Sequence, residues 1–271
     1  MKLSIITVNF NDAKGLERTI KSVISQTFHD YEFIIIDGGS TDGSVDIIKK
    51  YEIYVNYWVS ESDKGIYSGM NKGVAQAHGT YCNFMNSGDC YYKDSTLENI
   101  FKNNINTDIF VGDAIFYANG ALTDSRPSRD ISLYHFYSSA LPHQASFIKT
   151  TLLQNCPYDE KLKIVSDWKF FIQTIIIGNC SFKYIDCIVA KYDNHGISST
   201  NQMKMKIEKE NVLLSFFPPR LLADYHYMKE SECLTQTLTP RLRMSYHIDK
   251  LLFIIGRLLL LISEKFTKRT S

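Results

Sequence analysis

LSIITVNFNDAKGLERTIKSVISQTFHDYEFIIID, residues 3–37, changes its periodicity twice. Its ends, LSIITVNF (3–10) and YEFIIID (31–37), are short apolar runs rich in β-branched residues, as strands covered on both faces should be. Between them Leu16, Ile20, Val23 and Ile24 recur at helical spacing along 15–26, behind Asp12 as a helix N-cap. A strand, a helix and a second strand in that order predict two parallel strands with a right-handed crossover.

The alternation continues outward. VNYWVSE (55–61) and YCNFMN (81–86) read as strands, and 43–51 and 66–77 as helices, with Thr41 or Asp42 as the N-cap of the first. DIFVGDAIFY (108–117), HQASFI (143–148) and FKYIDCIVAKY (182–192) extend the sheet, and DWKFFIQTIII (167–177) is a helix. The predicted fold class is α/β: a mostly parallel central sheet flanked by helices, Rossmann-like, with a C-terminal helical extension. The predicted division is a main α/β domain over 1–199 and a basic helical extension over 200–271.

Of the 271 residues 44% are hydrophobic and 22% charged, the composition of a folded globular chain. A net charge of +1 excludes the chain-wide basic field that nucleic-acid binding needs. From Thr200 onward, however, 12 Lys and Arg stand against 7 Asp and Glu, net +5, so the C-terminal part should meet a different partner from the rest. The six cysteines form no C-x-x-C pair and read as small buried hydrophobes of a reducing compartment. Met1 leads directly into a strand pattern with no secretory signal, so a cytoplasmic location is expected.

In parallel sheets ligands bind beyond the carboxyl ends of the strands, near the switch in strand order. Asp37, Asp63 and Asp89 each fall at or past the end of a different predicted strand. One such Asp is usually a turn former or a cap. Three on one edge fit a hard divalent cation, Mg2+ or Mn2+, held by carboxylates and ligand phosphates. GGSTDG (38–43) has neither dinucleotide nor P-loop spacing, so hydride transfer and P-loop ATP hydrolysis lose support.

TVNFNDAKGLERTIKSVISQTFHDYEFIIIDGGSTDGS and SESDKGIYSGMNKGVAQAHGTYCNFMNSGD together resemble the amino-terminal half of the family 2 glycosyltransferases, inverting enzymes with the GT-A fold. The likeness covers residues 3–117, and LPHQASFI with IVSDWKFFIQ carries it to about 175. The resemblance implies that Thr7 and Asn9 line the nucleotide and that Asp37 reads its base. It places Asp63, with Asn71 and Lys72 of the MNKG turn, on the next wall of that pocket. It makes Asp89 the last acid of an Asp-any-Asp motif holding Mn2+ or Mg2+ against the donor diphosphate; Ser87 and Gly88 stand where relatives often carry acids. It implies that Asp167 is the catalytic base and that His143, in LPHQAS, touches the diphosphate or the acceptor. His195 is a further candidate metal ligand.

The expected reaction moves a sugar from a nucleotide diphosphate donor, UDP-linked by family habit, to a hydroxyl of a glycan or lipid-linked acceptor in bacterial surface polysaccharide synthesis. The alternatives are a non-catalytic nucleotide-sugar-binding or scaffold protein and a nucleotidyltransferase. LLFIIGRLLLLI (251–262), interrupted by Gly256 and Arg257, is too short to span a bilayer. With Lys250, Lys265, Lys268 and Arg269 around it, 250–269 fits a helix lying in an anionic membrane interface on the cytoplasmic face. Packing on the core or on a second copy of the chain is the other reading.

Overall fold

A computed structural model describes residues 1–103, 105–118, 121–127, 131–193, 201–243 and 255. Apart from Ile255, the basic apolar stretch 250–269 lies outside the described residues, as does His195.

The opening stretch folds as its periods require: β1 (Leu3–Asn9), α1 (Ala13–Ile24) and β2 (Tyr31–Asp37) form a parallel crossover. α2 (Ser44–Lys50), β3 (Tyr57–Ser60), α3 (Ile66–Ala75) and β4 (Tyr81–Phe84) continue it. β1 pairs in parallel with β2 on one side and β4 on the other, so strand order reverses at β1. β3 adds outside β2, also in parallel.

The second half is mixed. β5 (Cys90–Tyr91), α4 (Thr96–Phe101), β6 (Ile109–Ala118), β7 (Ala121–Ser125), α5 (Leu133–Ser138), β8 (Ser146–Lys149), α6 (Thr150–Asn155), α7 (Ser166–Phe171) and β9 (Phe182–Asp193) follow. The sheet runs β3-β2-β1-β4-β8-β6-β9-β5, with β7 paired to β6. β8 lies antiparallel between β4 and β6, and β9 is parallel to β6. The fold class is therefore the mostly parallel, helix-flanked α/β sheet expected, with helices at its C-terminal end.

Three expectations differ in detail. The strand expected over 143–148 starts only at Ser146, because His143–Ala145 forms a 3-10 turn after Pro142 and the Ser146 N–H closes on the His143 carbonyl. β5 and β7 are short and were not anticipated. The N-cap of α2 is Gly43; Asp42 instead accepts from Ser44 N–H and hydroxyl with one oxygen and from Ala13 N–H with the other, tying the starts of α1 and α2 together.

The chain separates into two compact units, Met1–Ser215 and Phe216–Ser271. The first thus extends beyond the expected boundary at 199 and takes in α8 (Gln202–Phe216) as far as Ser215. The second contains α9 (Pro219–Arg243). Among the described residues no helix is long and apolar enough to cross a membrane.

Alternate residues of β1 serve both faces: Leu3 and Ile5 join the α1 side of the core, while Ile6 and Val8 meet α3. α3 reaches the sheet because Gly69 and Gly73 carry no side chains. A Cβ at Gly69 would lie 2.7 Å from Val8 Cγ1, and one at Gly73 would run into Ile6 Cγ2. Gly73→Ala gains about 1 kcal/mol of helix propensity but meets a fully buried β-branched side chain, at about 1–3 kcal/mol for overpacking. A net loss near 1 kcal/mol is expected in urea unfolding; an unchanged midpoint would show slack between α3 and β1.

Candidate active site

The strand ends carry polar residues that satisfy one another. Asn9, last in β1, donates through Nδ2 to Asp37 Oδ1 (2.6 Å) and accepts at Oδ1 from the Ser87 hydroxyl (2.7 Å). Asp37, last in β2, also accepts from the Ser40 N–H and hydroxyl and from the Ser60 hydroxyl. Burial alone would raise the Asp37 pKa, but these donors prevail and hold it below the ordinary 3.8. Thr7 is fully buried and donates to the Met85 carbonyl (2.6 Å), fastening β1 to the segment after β4.

That segment ends in the turn Asn86–Asp89, closed by Asp89 N–H on the Asn86 carbonyl (2.9 Å). Gly88 occupies its left-handed position at φ +95°, and its N–H donates to the Thr19 hydroxyl of α1 (3.0 Å). A side chain there would start 3.5 Å from Arg18 Nη2 and 3.8 Å from Asp12 Oδ2. An acid at position 88 would have room but a strained backbone, so the turn presents a single carboxylate, Asp89.

Asp167 enters from the far side, in the first turn of α7. It is not the cap of that helix: Val165 takes the N-cap position, and the Ser166 hydroxyl is buried without a hydrogen-bond partner. Asp167 Oδ1 accepts from the Tyr67 hydroxyl (2.9 Å), and Oδ2 lies 3.5 Å from His143 Nδ1. Burial would raise its pKa; the hydrogen bond and charge of His143, the Tyr67 hydroxyl and the Trp168 N–H together lower it. For His143 burial acts downward, and the carboxylates of Asp167 and Asp89 outweigh it and raise the pKa. Val8 N–H donates to Asn86 Oδ1, turning the Asn86 amide nitrogen to within 3.3 Å of His143 Nε2.

One cavity of about 870 Å³ joins these groups, with Asn9, Asp63, Asp89, His143 and Asp167 of the expected residues in its wall. The volume suits a ligand of nucleotide-sugar size. Thr7, Asp37, Asn71 and Lys72 do not line it. Asn71 clamps the chain after α6, donating to the Tyr158 carbonyl and Glu160 and accepting from Tyr158 N–H, while Lys72 pairs with Glu61 (2.8 Å). Sequence reasoning missed Arg18, Tyr67 and Lys163, which also line the cavity. MNKG (70–73) is part of helix α3 and not a turn, and Tyr67 was findable one helical turn before Asn71.

No group of three or more His, Cys, Asp or Glu able to hold a metal occurs among the described residues. The donor set fits a cation of another kind. Asp89 offers one hard oxygen ligand on the cavity wall, and Mg2+ or Mn2+ commonly takes one or two carboxylates and completes its shell with water and substrate phosphate.

Residues 4–174 match the model of glycosyl transferase family 2. The chain belongs to this family. An uncharacterized glycosyltransferase of Mycobacterium tuberculosis is 31% identical over 212 residues, 73% of this chain and 77% of that protein. A PGL/p-HBAD biosynthesis glycosyltransferase of Mycobacterium bovis is 28% identical over 200 residues, 71% of this chain and 77% of that one. Of solved structures, mannosyltransferase PcManGT from Pyrobaculum calidifontis, in complex with GDP-Man and Mn2+, gives a TM-score of 0.63 at 15% identity over 96% of this chain and 80% of that chain. S. aureus TarS 1-349 in complex with UDP gives 0.60 at 19% identity, over 80% and 70%. These two likenesses establish the GT-A architecture, and the family membership makes the chain a glycosyltransferase.

The Asp167–His143 pair also links stability to pH. Asp167, lowered, contributes stability above its ordinary value of 3.8 that is lost as pH falls through the lowered value; His143, raised, contributes below 6.5 and loses it as pH rises through the raised value. Asp167→Asn removes the foremost influence raising His143, leaving burial opposed by Asp89 alone. A proton NMR titration of the imidazole should show a lower pKa in the variant, and an unchanged one would mean the pair does not form.

Proposed function

We propose that the chain is a metal-dependent inverting glycosyltransferase. It moves a sugar from a nucleotide diphosphate donor, UDP-linked by first choice, to a hydroxyl of a glycan or lipid-linked acceptor in bacterial surface polysaccharide synthesis. It acts in the cytoplasm or on the cytoplasmic face of the membrane, where residues 250–269 give it a peripheral hold. The observation that carries the proposal is one cavity with a turn-borne carboxylate, Asp89, in one wall and a half-buried, hydrogen-bonded carboxylate, Asp167, in another. UDP bound to TarS and GDP-Man bound to PcManGT support a nucleotide-sugar donor, and the Mn2+ of the latter supports the cation. The PGL/p-HBAD relative supports a glycoconjugate product.

Asn9 and Asp63 receive the nucleoside end of the donor, with Asp37 holding Asn9 in place and Asn71 and Lys72 bracing the outer wall. Thr7 anchors the strand beneath. Asp89, with Arg18 beside Gly88, faces the diphosphate. A divalent ion at Asp89 supplies Lewis-acid stabilisation of the leaving diphosphate, worth several kcal/mol in such sites. Asp167 accepts the proton of the acceptor hydroxyl as the new carbon–oxygen bond forms on the face opposite the breaking bond, which inverts the anomeric centre. Its lowered pKa keeps it ionised at neutral pH, and Tyr67 and His143 fix which lone pair is offered. His143 bridges the base and the Asn86–Asp89 turn, with Nδ1 toward Asp167 and Nε2 toward the Asn86 amide.

Asp167→Asn should retain the thermal shift given by the best nucleotide from a panel of UDP, GDP, dTDP and CMP, while transfer falls by about 10² to 10⁴. Asp89→Ala should lose the Mn2+-dependent part of that shift. Normal turnover by Asp167→Asn would remove the base assignment.

A further inference from the structure

We infer that Glu208, on α8 and outside the residues the family model matches, is a positioning residue for the base: it fixes the backbone at Lys163 and Ile164 and, through the Ile164 carbonyl, the Tyr67 hydroxyl at Asp167. The inference rests on the reading of Asp167 as the base.

α8 contributes three buried residues, Glu208, Val212 and Leu213. Met203 and Ile207 on the same helix are 73% and 52% exposed, whereas Glu208 is only 9% exposed. The helix therefore turns a carboxylate inward where an apolar residue would ordinarily go, at a desolvation cost that needs matched donors. Both oxygens find them: Oε1 accepts from Lys163 N–H (3.0 Å), and Oε2 accepts from Lys163 N–H (3.2 Å) and Ile164 N–H (2.9 Å). Lys163 and Ile164 both line the cavity.

The chain of contacts continues. The Ile164 carbonyl lies 2.7 Å from the Tyr67 hydroxyl, and Asp167 Oδ1 lies 2.9 Å from the same hydroxyl. Tyr67 has one proton to divide between these two acceptors. With Ile164 held in place, the carbonyl takes part of that proton and leaves more negative charge on Asp167. Two further contacts hold the arrangement: Lys163 Nζ donates to the Lys64 carbonyl in the loop just before α3 (2.8 Å), and Lys209 Nζ sits 5.0 Å over the ring of Trp168.

If Glu208 is lost, the Lys163 and Ile164 N–H groups lose their anchor, the Ile164 carbonyl on the next peptide can shift, and the hydroxyl donates to Asp167 alone. The carboxylate becomes a weaker base and a weaker partner for His143, whose other influences include the Asp89 carboxylate and the Asn86 amide. A purely structural role for Glu208 predicts a loss of stability with no such signature.

The test uses the full chain and three variants: Glu208→Ala, Glu208→Gln, which keeps one acceptor oxygen, and Glu210→Ala as an exposed control on the same helix. In the ligand-free protein the His143 pKa, followed by NMR, should fall by about 0.5 or more in Glu208→Ala, by less in Glu208→Gln and not at all in Glu210→Ala. Turnover, read as nucleoside diphosphate release from UDP-GlcNAc and from GDP-mannose, should drop about tenfold in kcat with KM within about twofold. In an Asp167→Asn background Glu208→Ala should have no further effect on the residual rate. An unshifted His143, or a Glu208→Ala penalty as large on Asp167→Asn as on the parent, would overturn the inference. Normal turnover by Asp167→Asn alone would defeat the base reading instead, and the His143 titration still decides whether Glu208 governs the geometry there. Should Glu208→Ala not fold, Glu208→Gln carries the same measurements.

Discussion

A parallel sheet can place a polar site at its strand ends only if the buried polar groups there are satisfied without filling the space a ligand needs. In this chain Asn9 meets that condition. It stands where strand order reverses, and its one amide bonds Asp37 at the end of β2 and Ser87 in the turn beyond β4. Two loops on opposite sides of β1 are thereby fixed relative to each other, and the cavity opens above them. Asp37, loaded with four donors, belongs to this scaffold as much as to any ligand contact.

The second constraint is keeping Asp167 charged in a mostly enclosed setting. An isolated carboxylate would answer burial by taking up a proton. Tyr67, His143 and the Trp168 N–H prevent this, and each comes from a different place: α3, the 3-10 turn before β8, and α7 itself. Three elements distant in sequence must therefore be in register before the base is ready, which explains why α3 is packed so closely on β1 through its two glycines. Reactivity here depends on tertiary packing more than on any local motif.

Much of this was legible in the sequence for a simple reason. Strands and helices of the first half show clean periods because the sheet is covered on both faces, and a parallel crossover leaves few alternatives. The convergence of Asp63 and Asp89 on one cavity follows from that topology, whereas the switch at β1 is seen only in the strand pairing. Asp167 and His143 came from resemblance, and nothing in their local spacing predicts that they touch. The sequence could not separate residues that face the cavity from those that brace it: Asn9 and Asp37 look alike in one dimension, yet only Asn9 lines the cavity. Short pairings such as β5, with two residues, carry no period to read. Glu208 was hidden for the opposite reason, since in a helix rich in Lys and Glu an inward acid looks like every outward one.

The reading of the site turns on orientation: diphosphate toward Asp89, reacting carbon toward Asp167. A crystal structure with a non-hydrolysable nucleotide sugar and Mn2+ tests this most directly. The account predicts the cation bonded to Asp89 and to diphosphate oxygens, with the anomeric carbon presenting its open face to Asp167 across the cavity. A donor whose diphosphate lies away from the Asn86–Asp89 turn, or whose sugar turns its back on Asp167, would contradict it.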